Sequence, residues 1–205
     1  MTKRNSTSIN PSKQINLTVM GIAYNSGGKH ASRINNRTTK PYQTWRSMLN
    51  RCYSDKFHLK QPTYLDCVVC DEWLDFQAFA DWMTGSDYHD TDYQLDKDII
   101  VRGSKIYSPD TCSFIPQEIN KLLNSRSSAV GVNPLGVTFK KRCKAFVAQL
   151  RVNGHKTYLG AFKCPNKAHQ AYVIAREAYV KEVANEWRGR IDERVYEALM
   201  KWTVN

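Results

Sequence analysis

The sequence has no uninterrupted apolar run of the about eighteen residues that a membrane-spanning helix requires, and it does not open with a signal peptide. We therefore predict a cytoplasmic protein with no membrane partner. It also has no heptad repeat, which leads us to expect a monomer. The 205 residues are 41% hydrophobic and 24% charged, which is typical of a folded protein with one large domain or two small ones.

Cysteine is sparse, with six residues scattered along the chain, so a disulfide framework is not expected and the thiols should be reduced. Four of them could complete a structural zinc site, namely Cys52, Cys67, Cys70 and Cys112. Cys67 and Cys70 have the CxxC spacing, but the two valines between them favour a strand, which points the two thiols apart. We therefore favour buried free thiols over zinc.

Acidic residues are outnumbered by basic ones at both ends of the chain. Residues 1–60 hold eleven Lys or Arg and one acid, and residues 126–205 hold fifteen and six. Residues 61–125 hold four Lys or Arg and twelve acids. Basic surfaces bind polyanions such as nucleic acid, and acids within a basic protein are what a metal-dependent phosphodiesterase needs. The acids can equally be a solvated surface that balances charge.

Hydrophobic periodicity changes along the chain between helical and strand spacing, which predicts an α+β protein. Residues 126–134, rich in Ser and Gly and closing with Asn-Pro, are typical of a linker. We therefore predict a flexible basic arm over 1–14, a first domain over 15–125, the linker over 126–134, and a second domain with a closing helix over 135–205.

Three strand-like runs in the second domain, GVTFKKR, KAFVAQLRV and KTYLGAF, precede an Ala-rich amphipathic helix. Asn153-Gly154 between the second and third runs is a strong hairpin signal. Between Arg126 and Lys163 there are eight Lys or Arg and no acid. Alternation predicts one polar face suited to a DNA major groove, formed by Thr138, Lys140, Arg142, Gln149, Arg151, Lys156 and Tyr158. The apolar face should pack on the helix through Phe146, Ala148, Leu150 and Leu159.

The second domain carries three motifs in a fixed order, Leu135-Gly-Val-Thr138, Val147-Ala-Gln-Leu-Arg151 and Thr157-Tyr-Leu-Gly-Ala-Phe162. With the helix that follows, they resemble the AP2/ERF DNA-binding domain. The resemblance implies a three-stranded antiparallel sheet packed on one helix, with double-stranded DNA as the partner. It gives contact roles to Thr138, Gln149, Arg151, Lys156 and Tyr158. Plant members usually have arginine at positions 135 and 138 and tryptophan at 158, so only the docking mode is implied.

The acidic middle contains the stretch Tyr93–Gly103, YQLDKDIIVRG, in which two aspartates flank a lysine. Its β-branched and aromatic residues predict a strand, and we expect a hairpin over Gln94–Tyr107. A helix should follow over Pro116–Asn124. In this arrangement Asp96 and Asn120 face each other.

Three groups of residues within 42–120 carry a second resemblance: Tyr42-Gln-Thr-Trp45 with Arg51-Cys-Tyr53; Val69-Cys-Asp-Glu-Trp73 with Phe76 and Phe79; and Leu95-Asp-Lys-Asp98 with Tyr107-Ser-Pro109, Cys112-Ser-Phe114, Gln117 and Asn120. Together they resemble the HNH (His-Me finger) endonucleases of phages, including homing endonucleases that carry an AP2 module after the nuclease domain. The nuclease-like and AP2-like parts have the same order here.

The second resemblance implies a ββα-metal-finger nuclease-like domain. In it, Asp96 and Asn120 hold a divalent cation, Mg²⁺ or Mn²⁺, against the scissile phosphate. Lys97 stands where the family has its general-base histidine, and can act as a base, bind phosphate or stabilise charge. Asp98 is expected to be structural or to orient Lys97.

A second position of the family signature is also altered. Thr111 stands where the family has the Asn that steadies the histidine. His89, in the loop five residues before the hairpin strand, is a candidate substitute base, although a lone loop histidine can also be merely solvated.

Two functional hypotheses follow from these patterns. The first is a metal-dependent DNA endonuclease of phage HNH lineage, of homing or nicking type, acting in the host cytoplasm. The second is a catalytically inactive derivative that binds DNA as a repressor or accessory protein. A protein-interaction or RNA-binding role is a third alternative.

Overall fold

The computed structural model describes residues 19–88, 91–123 and 132–204. The predicted arm over 1–14 and most of the predicted linker lie outside these ranges. The protein is α+β, with six α-helices and nine short strands in the described residues. The helices are α1 Lys40–Tyr53, α2 Asp55–His58, α3 Phe76–Gly85, α4 Gln117–Leu123, α5 Pro165–Trp187 and α6 Glu193–Met200. The strands are β1 Arg33–Ile34, β2 Arg37–Thr38, β3 Val68–Val69, β4 Gln94–Asp96, β5 Ile106–Tyr107, β6 Ser113–Ile115, β7 Val137–Lys140, β8 Ala145–Val152 and β9 His155–Phe162.

Packing divides the chain into two units. The first comprises residues 1–89 with 104–110, and the second comprises 90–103 with 111–205. The second unit therefore contains β4, β6 and α4 together with the three longest strands. The division by packing thus differs from the division by composition, which separates residues 15–125 from the rest of the chain.

The first unit is built on an aromatic core. Pro41 lies in the first turn of α1, where its missing N–H costs no helical hydrogen bond. Trp45, Met48, Leu49 and Cys52 are the buried residues of α1, and their helical spacing places them on one face. The Trp45 indole nitrogen donates to the carbonyl oxygen of Trp73 at 2.7 Å, so this buried polar group is satisfied. The α1 helix packs against α3, whose buried face includes Phe76 and Phe79.

The predicted hairpin over Gln94–Tyr107 is wrong. Strand β4 pairs instead with β6, in antiparallel register with Leu95 opposite Phe114 and Asp96 opposite Ser113. Strand β5 runs parallel to β3 within the first unit. The physical reason lies at Asp96, whose Oδ1 accepts the backbone N–H groups of the two residues at positions 98 and 99. This local turn ends the strand and sends the chain away before it can fold back directly.

The three longest strands of the second unit form an antiparallel sheet in the order β7–β8–β9, which confirms the three predicted strands. The hairpin turn at Asn153-Gly154 is confirmed as well, with both residues in the left-handed region that such turns require. The apolar face packs on α5 through a small core of Val137, Ala148 and Ala168. At the start of β7, Gly136 has a φ of +77° and lies against the Tyr172 ring.

A second, aliphatic core joins β6, α4, α5 and α6. Its buried members are Ile115, Ile119, Val180, Val183, Ala184, Ile191, Val195 and Leu199. Asp192 caps α6 by accepting the backbone N–H of Arg194. This core fixes α4 and the segment after α6 within one unit.

Within the described residues, no helix combines the length and the apolarity that crossing a membrane would take.

Candidate metal centre and nucleic-acid interface

Strands β4 and β6 and helix α4 together carry the two predicted metal-binding residues. Asp96 is the last residue of β4, and Asn120 lies in α4. The residue before it, Ile119, is fully buried in the aliphatic core. The Asn120 amide nitrogen donates to Gln94 Oε1 at 2.7 Å, which ties α4 to the first residue of β4. Because the nitrogen is engaged in this bond, the amide oxygen is the atom of Asn120 that can bind a cation.

A cavity of about 440 Å³ opens beside this arrangement, and both Asp96 and Asn120 line it. The structure therefore brings together the two residues that the sequence paired, although through a different hairpin from the predicted one. The remaining lining residues are Asp98, Ile99, Ile100, Arg102, Leu123, Ala198, Leu199, Lys201, Trp202 and Thr203.

The Asp96 carboxyl group lines the cavity and has a shifted pKa. Burial raises its pKa, against the opposing effect of the two backbone N–H groups that bond Oδ1 at 2.8 Å each. A buried carboxylate is stabilised by a nearby opposite charge, and a divalent cation supplies one. Carboxylate and amide oxygens are hard ligands of the kind that Mg²⁺ binds while it retains several waters, for which the cavity has room. The residues present fit such a cation.

Lys97 is 5% exposed and does not line the cavity. Its ammonium donates to Asp98 Oδ1 at 2.7 Å. Asp98 does line the cavity, and half of its side chain is exposed. A protonated amine has three donors and no acceptor, so in this ion pair Lys97 holds the carboxylate in place and does not offer a lone pair to water.

Two further residues that the resemblance singled out are Thr111, at the altered signature position, and His89, the candidate substitute base. Thr111 is half-buried, with its Oγ1 3.9 Å from Cys112 Sγ. His89 lies outside the described residues, so its role as a substitute base stays a prediction.

The four cysteines considered for zinc are all free thiols. Cys52, Cys67 and Cys70 belong to the first unit, and Cys112 belongs to the second. Within residues 19–88, 91–123 and 132–204, no three His, Cys, Asp or Glu side chains are grouped as a metal site would require.

The exposed face of the three-stranded sheet carries six of the seven predicted contact residues. Strand pairing sets Gln149 opposite Tyr158 and Arg151 opposite Lys156, and residues opposite each other in an antiparallel pair share a face. Thr138 pairs with Val147, two residues before Gln149 along β8, and therefore has its side chain on that face too. Lys140 follows by alternation along β7. Tyr158 is 63% exposed, so its ring is available to a partner.

Arg142 is the exception, and its predicted place on a strand is wrong. It lies in a 3₁₀ turn over Lys141–Cys143, between β7 and β8. The following Lys144 adopts a left-handed conformation, with a φ of +48°. This residue closes the turn tightly, so the strand ends at Lys140, before Arg142.

The charge of the sheet face is not neutralised by acids. Residues 126–163 contain none, and no cation on this face forms a salt bridge with any described residue. Arg151 Nη1 donates to the Gly154 carbonyl at 3.0 Å, which orients its guanidinium toward the hairpin turn. A cationic face with amide and aromatic side chains is suited to a polyanion.

Sequence reasoning missed the residues that line the cavity from the segment after α6. Arg102 Nη1 donates to the Thr203 carbonyl at 2.9 Å, although the two residues are about one hundred positions apart. Its guanidinium lies 5.8 Å from the Trp202 ring centroid. No local pattern could have indicated this contact, because Arg102 stands beside Gly103 and its neighbourhood predicts only a turn.

No family model, no curated protein and no solved structure matches the chain. Any functional assignment therefore depends on the residues and geometry described above.

Proposed function

We propose that the protein is a metal-dependent DNA endonuclease of HNH lineage that hydrolyses phosphodiester bonds. The observation that carries the proposal is the presence of Asp96 and Asn120 in one cavity, on two antiparallel strands followed by a helix. This order and these residue types are those of a ββα metal finger. The finger then consists of β4, β6 and α4, with residues 97–112 as the connection between its strands.

In this function Asp96 and Asn120 hold the divalent cation, Mg²⁺ or Mn²⁺, through oxygen atoms. The cation supplies Lewis-acid polarisation of the scissile phosphate and makes a bound water more acidic. The protein contributes orientation: Gln94 fixes the Asn120 amide, and the N–H groups of Asp98 and Ile99 fix the Asp96 carboxylate. Such supporting contacts are what keep metal ligands in position.

Lys97 occupies the position of the family's histidine but has a different task in this proposal. Its ammonium anchors Asp98, whose carboxylate lines the cavity beside the cation site. Lys97 is therefore a positioning residue, and its effect on the reaction is expected to pass through Asp98.

The exposed sheet face would hold the duplex as an AP2-like module. Gln149 and Arg151 are suited to base edges in the major groove, and Lys156 is suited to a phosphate. The absence of acid from residues 126–163 supports this role. The sheet and the proposed finger belong to the same packed unit.

A specific observation favours the alternative of a catalytically inactive DNA-binding repressor or accessory protein. No histidine lines the cavity among the described residues, and Lys97 is engaged in an ion pair. A protein with this arrangement could retain the finger as a scaffold while the sheet binds DNA.

Strand scission separates these two functions. Purified protein is incubated with supercoiled plasmid and with phage or bacterial genomic DNA, in Mg²⁺ or Mn²⁺, and the products are separated by size. We expect defined nicks or fragments, reduced about a thousandfold in rate by Asp96→Ala and strongly by Asn120→Ala, since a bound cation supplies several kcal/mol of charge stabilisation.

The matched control is Asp81→Ala. Asp81 is an exposed carboxylate paired with Lys29, and its loss should leave scission unchanged. Mn²⁺ binding followed by electron paramagnetic resonance gives a second readout, and it should be lost in Asp96→Ala alone of these two variants. DNA binding without scission in either metal would overturn the nuclease assignment and favour the inactive derivative.

A further inference from the structure

The cavity beside the finger is lined by two chemically different groups of residues. One group offers oxygen atoms, from Asp96, Asp98 and Asn120. The other group is cationic and aromatic, and it comes from Arg102 and from Lys201 and Trp202 after α6. A cation needs only the first group, so the second calls for a ligand with negative charge.

Arg102 is an exposed residue of the second group, and two contacts with the segment after α6 orient its side chain. Its guanidinium donates to the Thr203 carbonyl at 2.9 Å and lies 5.8 Å from the centre of the Trp202 ring. Both contacts are with groups that carry no net charge. Among the residues that the structure describes, no carboxylate lies within salt-bridge distance of Arg102. Its positive charge is therefore held in place without being neutralised.

Lys201 differs from Arg102 in this respect. Its ammonium pairs with Glu197 at 3.4 Å, one helical turn earlier, and its side chain is 78% exposed. A flexible, exposed and already paired lysine contributes little to a binding site. Arg102 and Lys201 line the same cavity, so their contributions to binding an anion can be compared within one protein.

We propose that Arg102 is a phosphate-binding residue of this cavity, held in place by Trp202 and Thr203, and that its ligand is the phosphate group of a nucleotide. The planar guanidinium can donate two parallel hydrogen bonds to phosphate oxygens, which an ammonium cannot do. This inference rests on the proposed function, because it places the phosphate of the substrate strand between the cation site and Arg102.

The test is a titration without metal, in the presence of a chelator, so that it does not depend on cleavage. Full-length protein is titrated with thymidine 5′-monophosphate, with thymidine as the uncharged comparison, and binding is followed by tryptophan fluorescence and by NMR of the ligand. We expect the monophosphate to bind and thymidine not to bind. Arg102→Ala should weaken binding about tenfold to a hundredfold, the range for a lost charged hydrogen-bond partner.

Three further variants locate the ligand. Arg102→Lys should recover only part of the affinity, because it keeps the charge but loses the paired donors. Lys201→Ala should change affinity less than about twofold, as expected for an exposed pair. Asp96→Asn should strengthen binding without metal, because it removes a carboxylate that repels the phosphate within the same cavity.

The inference is overturned if the monophosphate fails to bind, if Arg102→Ala binds it as well as the natural protein does, or if Asp96→Asn leaves its affinity unchanged. Scission assays with the same proteins keep this result separate from the nuclease proposal. Loss of scission in Arg102→Ala with unchanged duplex affinity supports both proposals. A natural protein that never cuts, yet binds the monophosphate through Arg102, would defeat the nuclease proposal and retain the phosphate site.

Discussion

The exposed sheet face and the finger cavity belong to the same packed unit, yet they are built in opposite ways. The sheet face presents its contact residues to solvent on adjacent strands, and no residue in 126–163 is acidic. The cavity gathers residues from positions 96 to 203, and the Asp96 carboxyl group that lines it is half-buried. One surface is repetitive and local, and the other is assembled from distant parts of the chain.

In the proposed function, this difference separates binding from chemistry. Exposed cations are screened by salt, and each contributes a modest share of affinity to a nucleic acid. A half-buried carboxylate with fixed hydrogen bonds concentrates its effect at one point, where a single substitution removes it. We therefore expect changes on the sheet face to lower affinity in small steps, and changes in the cavity to affect the reaction without affecting duplex binding.

The largest effect is expected from Gly136→Ala, which should destabilise the packing of the sheet on α5. A Cβ at this position would lie 2.1 Å from a carbon of the Tyr172 ring, and the backbone φ of +77° is strained for any side chain. Overpacking and strain together should lower the free energy of unfolding by about 3 kcal/mol or more. Thermal and urea denaturation followed by circular dichroism would measure the loss.

Gly154→Ala is the control for this prediction. It has a similar φ of +81°, but no atom lies within 4 Å of the added Cβ. It should therefore cost only the conformational strain, about 1 kcal/mol. Equal losses in the two variants would show that the Tyr172 contact does not limit packing of the sheet on α5.

A smaller effect is expected from neutralising cations on the sheet face. In the double variant Arg151→Gln with Lys156→Gln, the logarithm of the DNA association constant should depend less steeply on the logarithm of salt concentration. Each phosphate contact accounts for about 0.9 of that slope, so loss of the proposed Lys156 contact should reduce it by about 0.9, whereas loss of the Arg151 contact with a base edge should lower affinity at every salt concentration. Fluorescence anisotropy with a labelled duplex at several salt concentrations would measure it.

Lys167→Gln is the matched control, because Lys167 is an exposed cation of the same unit that lies on α5 and not on the exposed sheet face. Its slope should equal that of the natural protein. Scission at saturating DNA should be unchanged in the double variant, since neither residue lines the cavity. If the double variant keeps the full slope, the sheet face does not bind the phosphates of DNA.

The difference between the local sheet face and the long-range cavity also explains which features could be predicted from the sequence. The sheet was predictable because its signals are local: period-two alternation, the Asn153-Gly154 turn and the Ala-rich helix all act within a few residues. Arg142 was misplaced because the left-handed Lys144 closes a turn that alternation alone does not indicate. A lysine in that conformation has no strong sequence signature.

The cavity was predictable only in part. Asp96 and Asn120 do line one cavity, and their metal-binding role stays a prediction. The predicted strand partner was wrong because the turn at Asp96 depends on its own side chain and not on strand propensity. The phosphate-binding role that we propose for Arg102 depends on Thr203, a contact that exists only after the whole unit has folded. Pairings of such long separation leave no periodic trace in the sequence.

The smallest effect should come from Asp192→Ala, which tests whether the cavity can be disturbed while the sheet face stays intact. Asp192 caps α6 and accepts a hydrogen bond from Ser113 of β6 at 3.2 Å. Loss of the cap should cost about 1 kcal/mol, and Asp192→Asn, which keeps an accepting oxygen, should cost much less.

Burial alone would raise the pKa of Asp192, but hydrogen bonds from Arg194 lower it below its ordinary value. The stabilisation is therefore complete above the unfolded pKa of about 3.9 and disappears as the pH falls through the lower folded value. Urea denaturation from pH 7 to pH 3 should show the stabilities of the natural protein and of Asp192→Ala converging at the acid end.

The same variant should affect scission, because α6 leads into the segment that holds Arg102. We expect Asp192→Ala to weaken scission at neutral pH and to leave duplex affinity unchanged. A parallel loss of duplex affinity would mean that the exposed sheet face and the cavity are not independent.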